Sequence, residues 1–312
     1  MTDPSSSLSP PGATGPGPGE ARIVDRGYRS YTGPRTGVAG SVRTVFRHSF
    51  ERGLGLRRSA WAKVLPIAGI LIAYLPGVVF VGMLALIKDF RTGAEELILP
   101  SYGDYYGYVI AAIMVFVSLV APEILCTDRR SGMLGLYLAS PLDRGSYFLA
   151  KALTVAAILA LVCLGPPLLM LLANVLQSQG PETFSDTMST LWNILLSGGA
   201  VTLLYTGVTM GAASLTDRKS FATAGIILLF LVGTMVVGMI EVATAGPTGE
   251  NPDVRPLAIT MLSLEIPLRV HGEWSQIMPG VSSTAVWGSW AAWTFGGFAL
   301  ARYQLHRLPV TR

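Results

Sequence analysis

Long apolar stretches recur along this chain at lengths matched to a bilayer. Residues 64–87 hold no Asp, Glu, Lys or Arg for 24 positions. A hydrocarbon core of about 30 Å needs about 20 helical residues, so this stretch predicts a span. Apolar segments at 106–125, 152–176, 191–215, 221–241 and 284–301 predict five more. The pattern reads as an all-α membrane protein with six transmembrane helices. The last segment is the shortest and carries Trp287, Trp290 and Trp293 at every third position. That stripe fits a membrane boundary, where indoles concentrate, or a packed helix face.

Other segments have periods or lengths that do not fit simple spans. Residues 1–20 contain thirteen Gly, Pro or Ser with no apolar signal-like run after them, so residues 1–40 read as a flexible tail. Val42, Val45, Phe46, Phe50, Leu54 and Trp61 trace one helical stripe within 41–62, with Arg43, Arg47, Arg52, Arg57 and Arg58 around it. This predicts a basic amphipathic helix at the lipid headgroups, weakened in its second half by Gly53 and Gly55. Residues 242–283 contain five prolines and one apolar run, Leu257 to Leu268, interrupted by Glu265. Twelve residues rising 1.5 Å each cannot cross a bilayer, so a re-entrant or interfacial helix is expected between spans five and six.

Composition supports the membrane class. Apolar residues make up 51% of the 312 residues and charged residues 13%, where soluble domains carry roughly 25% charge. The mean hydropathy of +0.50 excludes a disordered chain, a nucleic-acid-binding domain and most soluble enzymes. Cys126 and Cys163 make no disulfide framework, and His48, His271 and His306 are too scattered for a zinc site. The placement of charge matters more than its sum. Ten Lys or Arg precede the first span, four lie in 126–151, two in 216–220 and three after 301. Only Lys88, Arg91, Arg255 and Arg269 fall on the opposite side. Positive residues stay inside, so both termini and the 126–151 loop are expected in the cytoplasm.

That loop, with the end of the second span, reads APEILCTDRRSGMLGLYLASPLDRGSYFLAK over 121–151. Pro122 is expected to loosen the span end, and Glu123, at the membrane edge, to pair with Arg129 or Arg130. A short apolar helix from Met133 to Ala139 ends at Ser140-Pro141, and Asp143 is a candidate N-cap for the next helix. The apolar side chains of the short helix need a covering surface, either the membrane interface or another protein. Glu123, Arg129, Arg130, Gly132, Leu134, Leu138, Ser140, Pro141, Leu142, Arg144, Tyr147 and Lys151 together resemble the membrane subunit of ABC-2 type transporters. The six-span layout over roughly 41–306 is also similar. One departure is Gly135, where the family often has glutamate.

The resemblance implies a permease subunit of an ATP-driven exporter that works as a dimer with a second copy or a sister permease. The loop would be a cytoplasmic coupling helix docking on a separate ATP-binding subunit. The residues expected to carry that coupling are Glu123, Asp128, Arg129, Arg130, Gly132, Met133, Leu134, Ser140, Pro141, Arg144 and Lys151. No G-x-x-x-x-G-K-[ST] loop occurs, so no cofactor is expected on this chain, and ATP and Mg would sit on the partner. Glu95-Glu96 resembles the paired glutamates of prenyl-protein proteases, but Pro100 replaces the expected arginine, and no Gly-x-Ser-x-Gly is present.

Gly165-Pro166-Pro167 predicts a bend in the third span, beside a path or as static packing. The fourth span is rich in small and hydroxyl residues and should meet other helices. Pro166, Pro167, Asn174, Thr202 and Thr206 are candidate path-lining or gating residues. Spans nearly free of charge favour an amphipathic drug, lipid or similar small molecule as cargo. A stand-alone six-span ion-coupled carrier or channel, and a purely structural role, are the rival readings. The setting expected is a bacterial plasma membrane, with lipid as a partner and no nucleic acid.

Overall fold

A computed structural model describes residues 33, 37–56, 59–87, 100–176, 183–244, 254–275 and 277–308. The expected tail 1–40 lies outside these apart from 33 and 37–40, as does most of the expected C-terminal tail 307–312. Among the described residues all long elements are helices: α1 (Gly37–Gly53), α2 (Ala60–Ile87), α3 (Tyr105–Arg130), α4 (Met133–Leu138) and α5 (Arg144–Cys163). Then follow α6 (Gly165–Leu176), α7 (Phe184–Ala213), α8 (Lys219–Thr244), a 3-10 turn at Arg255–Leu257, α9 (Ile259–His271) and α10 (Ser283–Arg307).

Five of these, α2, α3, α5, α7 and α8, are long and apolar enough to cross a membrane. Helix α7 is the most buried of the five, and α2 and α8 the least. The sixth predicted span corresponds to α10, which is 25 residues long but is not among these five. The predicted amphipathic helix also differs. It begins at Gly37 and stops at Gly53, before a turn in which Gly55 takes φ +70°, a conformation that favours glycine. Trp61 therefore falls in the next helix, which starts at Ala60.

The predicted third span is two helices. Pro166 and Pro167 have no N–H to give the carbonyls of Val162 and Cys163. In a membrane, a freed carbonyl must find a protein or water donor. Tyr106 Oη donates to Cys163 O at 2.7 Å, and Tyr74 Oη donates to Leu161 O at 2.9 Å. Gly165 leaves room for the Tyr74 ring tip, which a Cβ there would strike. Tyr106 thus covers one of the two freed carbonyls, Tyr74 covers the carbonyl of Leu161 just before them, and both prolines are buried.

The small-residue face of α7 packs as expected. A Cβ at Gly297 of α10 would overlap Gly207 O of α7, and a Cβ at Gly211 would stand 3.0 Å from Gly297 Cα. Small residues let the two backbones approach this closely. Trp290 Nε1 donates to Ala200 O at 2.8 Å and Trp293 Nε1 to Leu257 O at 3.2 Å, so these two indoles belong to packed faces. Helix α9, 13 residues and so about 20 Å long, is too short to span. Its buried Glu265 pairs with Arg269 at 2.5 Å, and Arg269 reaches on to Val281 O at 2.8 Å. On the same side, Tyr102 stacks on His271 and accepts a hydrogen bond from Asn174 at 3.0 Å.

The glycine contact gives a direct test. Gly297→Ala forces backbone against backbone and should cost about 1–3 kcal/mol. Gly296→Ala meets nothing within 4 Å. Thermal unfolding in detergent should show a clear loss for the first and no loss for the second.

Candidate functional site: the α3–α4–α5 elbow and its buried charges

The elbow is built by three local devices. Helix α3 runs without interruption to Arg130, with Pro122 buried inside it, so the expected loosening at Pro122 does not occur. Gly132 then turns the chain at φ +68° and serves as N-cap of the six-residue α4. Asp143 starts α5 through a capping box, accepting from Ser146 N at 3.0 Å and Gly145 N at 3.2 Å. Ser146 holds the Asp143 carboxyl below its ordinary range. Ser140 Oγ donates to Tyr137 O at 2.6 Å and closes the turn after α4.

Beneath the elbow lies a buried ionic hub. The Asp128 carboxylate of α3 is 0% exposed and takes Arg52 Nη1 of α1 at 2.6 Å and Lys151 Nζ of α5 at 2.5 Å. Tyr147 Oη donates to the same carboxylate at 3.0 Å, and Lys151 Nζ donates to Ser49 Oγ at 2.7 Å. Arg52 Nη2 reaches Ile124 O at 3.0 Å. Three helices that are distant in sequence meet at one carboxylate. Helix α4 reaches the hub through Tyr137, whose ring centroid lies 5.5 Å from Lys151 Nζ and 5.5 Å from the Tyr147 ring. Burial, and then the nearby Asp128 charge, raise the Tyr137 phenol above its ordinary pKa.

The apolar side of α4 is covered by the chain itself, which neither of the two expected surfaces anticipated. Leu134 packs in a small core with Val45, Leu142, Tyr147 and Ala150, flanked by Leu305 and Leu308. Leu136 stays 66% exposed on the opposite side, next to exposed Ala139 and Pro141.

Further ion pairs gather other helix ends here. Arg129 pairs with Asp217 at 3.1 Å and donates to Ser214 O at the end of α7. Glu123 pairs with Lys219 at the start of α8. The expected Glu123 partners fail on geometry: α3 is continuous, so Arg129 lies six positions on and faces away, while Arg130 lies two turns along. Arg144 donates to Leu305 O at 3.2 Å, to His306 O and to Leu308 O at 3.1 Å, which satisfies carbonyls at the end of α10. One end of the bundle thus holds the ends of α1, α3, α7 and α10 and the starts of α5 and α8.

The matching to known families bears on this region. A family model described as ABC-2 family transporter protein matches residues 87–264, more than half of the chain. The chain belongs to this family. No curated protein gives a significant match. As an ABC-2 family member with several apolar helices, it is a multi-pass membrane protein and a membrane component of transport. The matched region holds α3 to α8 and the elbow, but not α1, so the hub joins the ABC-2 region to a helix outside it.

The structure sorts the sequence candidates by exposure. Asp128 and Lys151 are buried in the hub, Leu134 in the small core, and Arg129 and Arg144 are committed to helix ends. Arg130, Gly132 and Pro141 are exposed, and Met133 and Ser140 are half-buried. Of the candidate path residues, Pro166, Pro167, Thr202 and Thr206 are buried within one chain, and Asn174 is half-buried and bonded to Tyr102. Sequence reasoning missed Arg52 and Tyr137 as partners of the hub, and Leu136 as the exposed apolar tip. Arg52 carried a signal, since it lies on the predicted stripe helix, but nothing local paired it with Asp128.

Removing one partner of a buried ion pair typically costs about 3–5 kcal/mol, because the other charges stay buried. Asp128→Leu should therefore lower the detergent unfolding temperature sharply. The combined Arg52→Met, Asp128→Leu, Lys151→Met variant should recover most of the loss in the same measurement.

Proposed function

We propose that this chain is the permease subunit of an ATP-driven exporter and that α4 receives motion from a separate cytosolic ATP-binding subunit. The observation that carries the reading is the construction of the elbow. A short helix presents Leu136, Ala139 and Pro141 outward, while Tyr137 ties its inner side to a buried charge shared by α1, α3 and α5. A push on the outer side moves three helices together. Family membership supports this reading over a stand-alone carrier, since ABC-2 permeases generally work with an ATP-binding subunit.

In this proposal α10 is the sixth span, because it lies against α7 at Gly207 and Gly211 and its end shares the hub side of the bundle. The positive-inside rule places that side in the cytoplasm of a bacterial plasma membrane, with both termini there. Helix α9 covers the opposite mouth. ATP and Mg belong to the partner subunit. Two permease copies form the path between them, and the cargo is an amphipathic small molecule, in keeping with spans almost free of charge. The coupling contact falls to Arg130, Met133, Leu136 and Pro141, while Asp128, Arg129, Arg144 and Lys151 position them. An effector shifts such an equilibrium only by binding its two states differently, so the ATP-binding subunit must grip α4 more tightly in one nucleotide state.

Leu136→Asp combined with Arg130→Glu should leave membrane insertion and the unfolding temperature unchanged. In vesicles holding the full complex, transport should fall at least tenfold while ATP hydrolysis continues. Normal transport by this variant refutes the coupling assignment.

A further inference from the structure

A groove of about 650 Å³ opens between α1, α5 and α7, away from the elbow's outer side. Its floor is made by small side chains, Ala156, Ala157 and Ala160 of α5 and Gly199 of α7, and a Cβ at Gly199 would meet nothing within 4 Å. Phe46 and Leu203 also line it, and among the described residues Arg43 is the one charged residue there. Two of its three walls are helices apolar and long enough to span a membrane.

Arg43 differs from the other arginines of α1. Arg47 pairs with Glu51 and Arg52 with Asp128, whereas Arg43 is exposed and has no carboxylate partner among the described residues. The first turn of α1 holds no acidic residue, and Ala39 of that turn lines the same groove. The first turn of a helix and an arginine side chain thus both line the groove, and each favours an anion. Apart from Thr202 the remaining lining is hydrocarbon.

We propose that this groove binds one anionic glycerophospholipid, with an acyl chain along Ala156, Ala160 and Gly199 and the phosphate at Arg43 and the start of α1. Charge complementarity selects lipid over a second copy of the chain. Among the described residues at the hub side, the carboxylates of Glu51, Glu123, Asp128 and Asp217 are engaged in ion pairs, and Asp143 caps α5. A second copy has no spare acid among these to set against Arg43. A bilayer leaflet containing anionic lipid supplies one at every encounter, together with the chain that fills the floor. Since α1 carries Arg52, a lipid held here also fixes the helix that anchors the hub.

The test uses the full chain, purified in detergent with an equimolar mixture of palmitoyl-oleoyl phosphatidylglycerol and phosphatidylcholine, and native mass spectrometry of the lipid retained. The expected result is one tightly held phosphatidylglycerol per chain, favoured at least fivefold over phosphatidylcholine. Arg43→Gln should bring that ratio close to one, Gly199→Leu should remove the retained lipid, and Arg47→Gln should change neither. Ala156→Leu repeats the groove-filling test should Gly199→Leu fail to fold. Equal retention of the two lipids, or an unchanged ratio in Arg43→Gln, overturns the proposal. Displacement by glycerol phosphate at equal concentration would mark a free-anion site instead. A change in oligomeric mass on filling the groove, with lipid retention unaltered, would assign the face to a second copy.

Discussion

A carboxylate held away from water between two cations is the constraint on which this architecture turns. Asp128 is fully buried, and its charge is tolerable only because Arg52 and Lys151 both reach it and Tyr147 adds a hydrogen bond. Each partner comes from a different helix. Satisfying one charge therefore fixes the mutual positions of α1, α3 and α5, and through Tyr137 the position of α4. Apolar contact alone is non-directional and would allow these helices to slide. The ion pairs set a register, and the small core around Leu134 fills the space that the register leaves.

The same logic of satisfied polar groups runs through the rest of the bundle. Where prolines open the backbone after Cys163, tyrosine hydroxyls from α3 and α2 reach the carbonyls of Cys163 and Leu161. Where α10 ends, Arg144 covers its last carbonyls. Where α7 ends, Arg129 does so. A membrane offers no water to repair an omission, so a helix broken within a span must be met by a side chain.

The all-helical class and the approximate positions of the membrane helices were legible in the sequence, because charge-free length is a strong signal. The Asp143 cap and the close packing of the glycine-rich face of α7 were legible for similarly local reasons. Three features were not. The bend at Gly165-Pro166-Pro167 was expected, but not that Tyr74 and Tyr106, far away in sequence, would reach the carbonyls beside it. The partner of Glu123 depends on α8 arriving at the end of α3, whereas a local reading offered only the neighbouring arginines. The hub depends on the packing of α1 against α5, and Arg52 looked like one more member of a basic surface. Periodicity reports the face a residue occupies; it does not report which helix will lie opposite. The candidate site was thus found in outline, with its exposed and buried members left unsorted until the fold separated them.

Because α1 and α4 are both tied to the Asp128 hub, they should move as one body. Pulsed electron paramagnetic resonance between spin labels at His48→Cys and Ala139→Cys, both exposed positions on either side of the hub, measures this directly. With the ATP-binding subunit present, the account predicts one narrow distance distribution that is unchanged between nucleotide-free and ATP-bound states. A distribution that shifts or splits on ATP binding would show α4 moving independently of α1 and would contradict it.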